Sequence, residues 1–421
     1  MRARPVRVLL GLVGSVLVLA LAFVGATSDR CGVWASAAPQ VLGLGGSSGE
    51  LKVGAAVAPI TVQLPATVAG YAPMRPTATS SHPLSARATT LDFGGGLFTL
   101  VTLDTLLVPA RLQVAIAQGF EGRVWVSATH THSSLGGYDT RPAVEVAALG
   151  RYSAPDEAAL VDAARSAIEH SRAGTVPVRV EVGHGTLGGL AVPRSGATVD
   201  DRLTVVRFVG ERPVAQWVVA SAHPTLNAPA ATVLDGDWPA QVAMQSEADH
   251  GPVTQVLQGA GGNATPDRAR AGTAEAFAHE LLARLAATPL AVEAPRVRWT
   301  EVGYALPHPD ASRLVGRWAQ PVIENALCEN AEHDAMVSVL QLGSLRLLFT
   351  TLEPSATAGA FLEEQAHVDR VVGLVNGYHG YLELNHEVAA GTGEAKRQYF
   401  PGSFAQTVGE AAKLAGNLSS R

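Results

Sequence analysis

The 421-residue chain is poor in cysteine and lysine, with only Cys31 and Cys328, and only Lys52, Lys396 and Lys413. Two cysteines cannot build a disulfide scaffold or a cysteine-rich zinc site, although outside the cytoplasm they could pair with each other. Charged residues make up 16% of the chain, well below the roughly 25% usual in soluble proteins. The net charge is -6 and no long basic run occurs, which argues against nucleic acid as a partner. No sequence repeat of fixed period occurs. The hydrophobic fraction of 47% excludes disorder for the bulk of the chain, and the length suffices for a large core with a buried site.

The first 26 residues stand apart. Arg2, Arg4 and Arg7 precede an uncharged apolar run from Val8 to Ala26. A basic start, an apolar centre and a small-residue end describe a secretory signal peptide, and the run is also just long enough to be an uncleaved membrane anchor. Either reading places the body outside the cytoplasm, secreted or tethered. Residues 27–50, with Gly43, Gly45, Gly46 and Gly49, read as a Gly/Ser-rich linker. They hold a formal G-x-S-x-G at Gly45–Gly49, but the hydrolase elbow needs a strand before it and a helix after it, and neither is expected there. The folded body is expected over residues 51–421. Strand patterns at Leu97–Leu103, Arg123–Ala128, Ala215–Ala222 and Leu345–Thr351 mix with helical patterns at Pro155–Arg172, Trp238–Asp249, Asp267–Ala287, Ser355–His367 and Ser403–Leu414. Asp237 is a candidate N-cap. This mixture predicts an α/β fold of mixed β-sheets flanked by helices, in a single catalytic domain.

The chemistry concentrates at strand ends. The strand pattern Arg123–Ala128 runs into His130-Thr131-His132 and then Gly136-Gly137-Tyr138. Residues two apart on an extended segment share a face, so both imidazoles can enter one pocket. The glycines would let the backbone turn and approach a ligand. An H-x-H alone equally suits two surface histidines. However, a second apolar strand pattern delivers His223, and a third delivers Glu353 before Pro354. Two histidines and a carboxylate are a catalytic-type zinc set. A fourth apolar segment leads into Asn376-Gly377-Tyr378-His379-Gly380-Tyr381. His308, His333 and His386 have no such pattern and are expected at the surface.

In these motifs and their order, from about Leu51 to about Phe404, the sequence resembles the neutral (non-lysosomal) ceramidases, zinc amidases that cleave N-acylsphingosines. The resemblance implies one zinc ion (Zn2+) per chain, with His130, His223, Glu353 and Tyr381 as its ligands. It makes His132, Arg194 and Tyr399 the catalytic candidates, and Gly136, Gly137, Asn263 and Thr265 the substrate-binding ones. An open zinc position brings the pKa of a bound water towards about 7, which supplies a nucleophile for an amide carbonyl. His132, Arg194 and Tyr399 could stabilise the oxyanion, and a protonated His132 could serve the leaving amine. The implied partner is an N-acyl lipid, which can be embedded in a membrane.

Several residues depart from that pattern. Gly262-Asn263-Ala264-Thr265-Pro266 stands where the family has an acid and a serine, and no C-terminal β-sandwich is expected. A long-chain ceramide is thus less firmly implied than the metal site. A non-catalytic exported protein that keeps the zinc fold, and a two-metal amidohydrolase on a (β/α)₈ barrel, are the competing readings.

Overall fold

The computed structural model describes residues 38–419 apart from 73–74, 78, 197, 318 and 331–334. The N-terminal apolar run, Cys31 and His333 therefore lie outside the described residues. No described helix is long and apolar enough to cross a membrane. Cys328 is buried and disulfide-bonded.

Three five-stranded sheets form the body. The first runs, in spatial order, Arg123–Ala128, Leu97–Leu103, Ser85–Asp92, Lys52–Pro59 and Val176–Pro177. The second runs Val253–Gln258, Pro213–Ala220, Arg202–Val209, Arg179–Thr186 and Leu290–Glu293. The third runs Gln40–Ser47, Val297–Gly303, Met336–Leu342, Leu345–Thr350 and Arg370–Val372. All are mixed, and each has one parallel pair at one edge of an otherwise antiparallel ladder. This matches the α/β expectation, and among the described residues no sheet closes into a barrel.

One apolar core joins the three sheets. It draws Phe98, Leu100 and Trp125 from the first, Phe208, Trp217 and Val219 from the second, and Leu340, Leu347 and Phe349 from the third. Each sheet is covered on its other face by helices. Ala110–Ala117 and Ala154–Ala173 lie on the first, with Leu112, Ile116, Leu160 and Ile168 buried. Asp237–Glu247 and Ala274–Ala287 lie on the second, and Ala356–Ala366 and Phe404–Ser419 on the third. Burying both faces of a strand explains why these strands read as continuous apolar runs.

Two local expectations need correction. Residues Gln40–Ser47 are not linker but an edge strand on Val297–Gly303. Gly43 and Gly45 fit there because the Arg123 and Trp299 side chains fill the space of a Cβ. Another strand, not a helix, follows Ser47, so the hydrolase elbow remains excluded. Asp237 is no ordinary N-cap: it is buried at φ 56, with Oδ1 accepting from Trp238 N and Oδ2 from Asn227 N.

Candidate metal centre

Each sheet sends one strand end to the same point. The first delivers His130 two residues beyond Ala128, the second delivers His223 three beyond Ala220, and the third delivers Glu353 three beyond Thr350. In all three cases the strand belongs to the parallel pair of its sheet. One backbone and one side-chain bond tie the first of these strands to the segment after Arg370–Val372: Asn376 N donates to Val126 O at 2.9 Å, and Val126 N donates to Asn376 Oδ1 at 2.7 Å. His130 sits at φ 70 and Asn376 at φ 61, conformations rare for side chains of this size. Such backbone strain is often held at functional sites.

The imidazoles are oriented by the backbone. His130 Nδ1 donates to Leu106 O at 2.6 Å, and His223 Nδ1 to Gly261 O at 2.9 Å. His132 Nδ1 donates to Gly70 O at 3.0 Å. A carbonyl can only accept, so each Nδ1 carries the proton and each Nε2 presents a lone pair. His130 Nε2 and His223 Nε2 lie 3.1 and 3.2 Å from Glu353 Oε2. His130 Nε2 and Glu353 Oε2 are nonetheless buried without a hydrogen bond, as is His132 Nε2.

Ligand atoms about 2.0–2.1 Å from zinc in a tetrahedron are about 3.3 Å apart. The observed spacing is close to that edge, and lone pairs converging on one point need a cation there. The residues therefore fit a metal ion. Ligand atoms of His130, His132 and His223 lie within 4.8 Å of one another, so His132 faces the same space.

Electrostatics agree with this. Burial works against the Glu353 charge, and His130 and His223 hold its carboxyl well below the usual range only as imidazoliums, so beside neutral imidazoles a cation is what would offset the burial. Burial, helped by Arg194, lowers His223 to about 4, and burial, helped by His130 and His223, puts His132 well below its ordinary value. All three groups thus keep their lone pairs free at neutral pH.

The other expected residues divide. Tyr381 enters the centre: its hydroxyl lies 3.2 Å from His223 Nε2 and accepts from Arg194 Nη2 at 2.8 Å. Burial and Glu353 raise its pKa well above the usual phenol value, so it is neutral without a metal. Arg194 is held by Glu394 at 3.1 Å and by Gly262 O at 2.8 Å. His132, expected as a proton donor, is neutral with its only proton on Nδ1, so it enters the site as an acceptor. Tyr399 approaches Glu353 only through Tyr378, and it lines an apolar cavity of about 270 Å³ beside the centre.

The four expected substrate-binding residues all make their observed contacts within the chain. Asn263 Nδ2 donates to Ser195 O and Thr198 O at 3.1 and 2.7 Å, and its Oδ1 accepts from Ala356 N at 2.9 Å. It ties the Arg194 loop to the segment after Glu353 rather than facing a ligand. Gly136 makes its close approach to the chain itself, because a Cβ there would collide with Leu149 O. Gly137, at φ 77, donates its N–H to Leu149 O. Thr265 lies on a short strand against Val192, its hydroxyl 3.5 Å from Thr225 Oγ1.

Sequence reasoning missed two side chains. Tyr378 donates to Glu353 Oε1 at 2.6 Å, which leaves Oε2 for the histidines. Tyr71 packs on His132 with ring centroids 4.9 Å apart. Tyr378 sits inside a motif already noted, and its choice over Tyr381 needed the register of the loop. Tyr71 had no signal.

No family model and no curated protein matches the sequence. Solved structures that match the fold include two ceramidases. One is neutral ceramidase from Pseudomonas aeruginosa, with a TM-score of 0.74 and 16% identity over 88% of this chain and 75% of that one. The other is a ceramidase complexed with C2, with a TM-score of 0.75 and 15% identity over 88% of this chain and 76% of that one. The chain has the fold of the neutral ceramidases.

Proposed function

We propose that the protein is a zinc-dependent hydrolase of linear amides, of the ceramidase type, acting on an N-acyl lipid. The observation that carries this reading is the convergence of His130 Nε2, His223 Nε2 and Glu353 Oε2 at tetrahedral spacing with no hydrogen bond between them. Tyr381 is the fourth donor within reach. A bound zinc ion would polarise the amide carbonyl and activate water near neutral pH.

The chain's own groups supply the rest. His132 Nε2, a buried lone pair beside the ligands, takes the proton released as water attacks the carbonyl carbon. It then returns that proton to the leaving nitrogen, so the C–N bond breaks to give a carboxylic acid and an amine. Arg194, fixed by Glu394, places positive charge beside Tyr381, where oxyanion charge would develop. Tyr378 holds the Glu353 carboxylate in place.

The apolar cavity supports a lipid substrate. Leu107, Val144, Leu314, Ile323 and Leu327 line it, and Tyr378 links it to Glu353. Turnover of a panel of N-acyl lipids and N-acyl amino acids by the zinc-loaded protein tests the reading. Release of fatty acid from at least one N-acyl lipid is expected. A protein that binds zinc but turns over no amide would instead be a binding protein on the same fold.

A further inference from the structure

The groups around His132 describe the half of the substrate that leaves as an amine. Tyr71 packs on the His132 ring, and its hydroxyl has no hydrogen bond to any described residue. Arg75 Cζ lies 5.4 Å from the centre of the Tyr71 ring. Its Nη2 donates to Ala69 O and His132 O at 3.3 and 3.4 Å, and its Nη1 donates to Ala231 O. His132 N donates to Pro224 O at 3.2 Å, which brings the segment after His223 to the same rim. Arg268 joins there: Nη1 donates to Leu226 O at 3.1 Å, and Nη2 donates to Thr225 O.

Both guanidiniums are thus fixed by main-chain carbonyls. Among the described residues, neither is paired with a carboxylate. Burial and Asp237 raise the Tyr71 pKa, and Arg268, Arg75 and Arg194 oppose them. Of the charged groups that act most strongly on the phenol, one is therefore acidic and three are basic. Arg194 already has a counter-ion in Glu394. The Asp237 oxygens accept from Asn227 N and Trp238 N. Arg75 and Arg268 are left as fixed positive charge at the edge of the metal centre.

The scissile nitrogen belongs at His132 Nε2, which returns the proton to it. A group one carbon away from that nitrogen reaches the ring packed on His132. A neutral amine half would leave the two cations without a partner, whereas a carboxylate at that carbon would meet Tyr71, Arg75 and Arg268 together. From these observations we infer that the substrates are N-acyl amino acids, with Tyr71, Arg75 and Arg268 as the rim that binds the carboxylate. The inference rests on the amidase reading and names its substrate class: an N-acyl lipid with an acidic head. Water adds to the acyl carbon, the C–N bond breaks, and the products are a fatty acid and a free amino acid.

The test compares N-lauroylglycine with N-lauroylethanolamine, below the concentrations at which they form micelles. Both carry the same acyl chain, and only the first has a charged amine half. A hydrogen bond to a charged group is worth about 10- to 100-fold. The zinc-loaded wild type should therefore show a kcat/KM about tenfold or more higher on N-lauroylglycine. That ratio should fall about tenfold or more in Arg268→Glu and be largely kept in Arg268→Lys. It should be unchanged in Arg212→Glu, an exposed position just before Pro213–Ala220, at the end of that strand away from His223. Added salt should shrink the wild-type ratio, because Arg268 is exposed and its charge is screened.

A wild type that prefers the neutral amide overturns the inference. So does a ratio that is indifferent to salt, or one that Arg268→Glu and Arg212→Glu change equally. If the wild type hydrolyses neither amide, the amidase reading fails and calorimetry decides the rim. N-lauroylglycine should then still bind about tenfold more weakly to Arg268→Glu than to wild type, and equal binding to both overturns the rim as well.

Discussion

Replacing Tyr378 by Phe separates a metal-positioning role from simple packing. The ring fills the same space, and only the hydroxyl that donates to Glu353 Oε1 at 2.6 Å is lost. Glu353 is buried and would be ionised as a metal ligand, so this is a hydrogen bond to a charged acceptor. Such bonds contribute about 1.5–3 kcal/mol. At about 1.4 kcal/mol per factor of ten, the carboxylate should lose roughly 10- to 100-fold in zinc affinity. That agrees with the about 10–100-fold typical of groups that orient metal ligands. Competition with a calibrated chelator measures the Kd directly. Tyr399→Phe is the control, because Tyr399 lines the same cavity without a bond to Glu353. A zinc Kd unchanged in Tyr378→Phe, or raised equally in Tyr399→Phe, would refute the positioning argument.

Other substitutions divide the site further. His130→Ala should lose zinc and activity together, whereas His132→Ala should keep zinc and lose about 10²–10⁴ in kcat; metal analysis and kinetics on the same preparations check this. Arg194→Ala should lower kcat by about 10²–10³ on a given amide, and a change confined to KM would mean that Arg194 only binds substrate. Asn263→Ala should lower stability by about 1–3 kcal/mol, because three partly buried hydrogen bonds to backbone are lost, with zinc affinity little changed. In the metal-free protein His223 titrates at about 4, below the ordinary 6.5. The unfolded chain therefore takes up this proton first as pH falls. The stability that a neutral His223 contributes is complete above pH 6.5 and is lost between about 6.5 and 4, by about 3 kcal/mol in all. Urea unfolding across that window checks it, and His223→Asn should flatten the slope.

The candidate site was legible because its converging side chains stand at the ends of long apolar strands. His130, His223 and Glu353 each follow a run whose burial on both faces gives a pattern of its own, so a polar residue at its end is conspicuous. Tyr378 and Tyr71 sit in irregular loops, where no period says which side chain turns inward. The contacts of Asn263 and Gly136 could not be read from the sequence for a related reason. Both occupy motifs rich in turn residues, and whether such a residue serves a ligand or its own backbone depends on chain segments far away in sequence. The strand Gln40–Ser47 was hidden by its glycines, which are depleted in strands. They are accommodated here because Arg123 and Trp299 supply the packing that their own side chains lack. The helices Ala110–Ala117 and Gln320–Asn330 are short, and neither begins with a side-chain cap of the kind that marks a helix start.

The central claim is that three sheets bring His130, His223 and Glu353 together to hold one catalytic zinc ion. Elemental analysis of the purified zinc-loaded protein, with amide turnover measured on the same sample before and after chelation, tests it most directly. One equivalent of zinc per chain is expected, with fatty acid release that disappears on chelation and returns with zinc. Two equivalents per chain, or turnover that persists after the zinc has been removed, would contradict it.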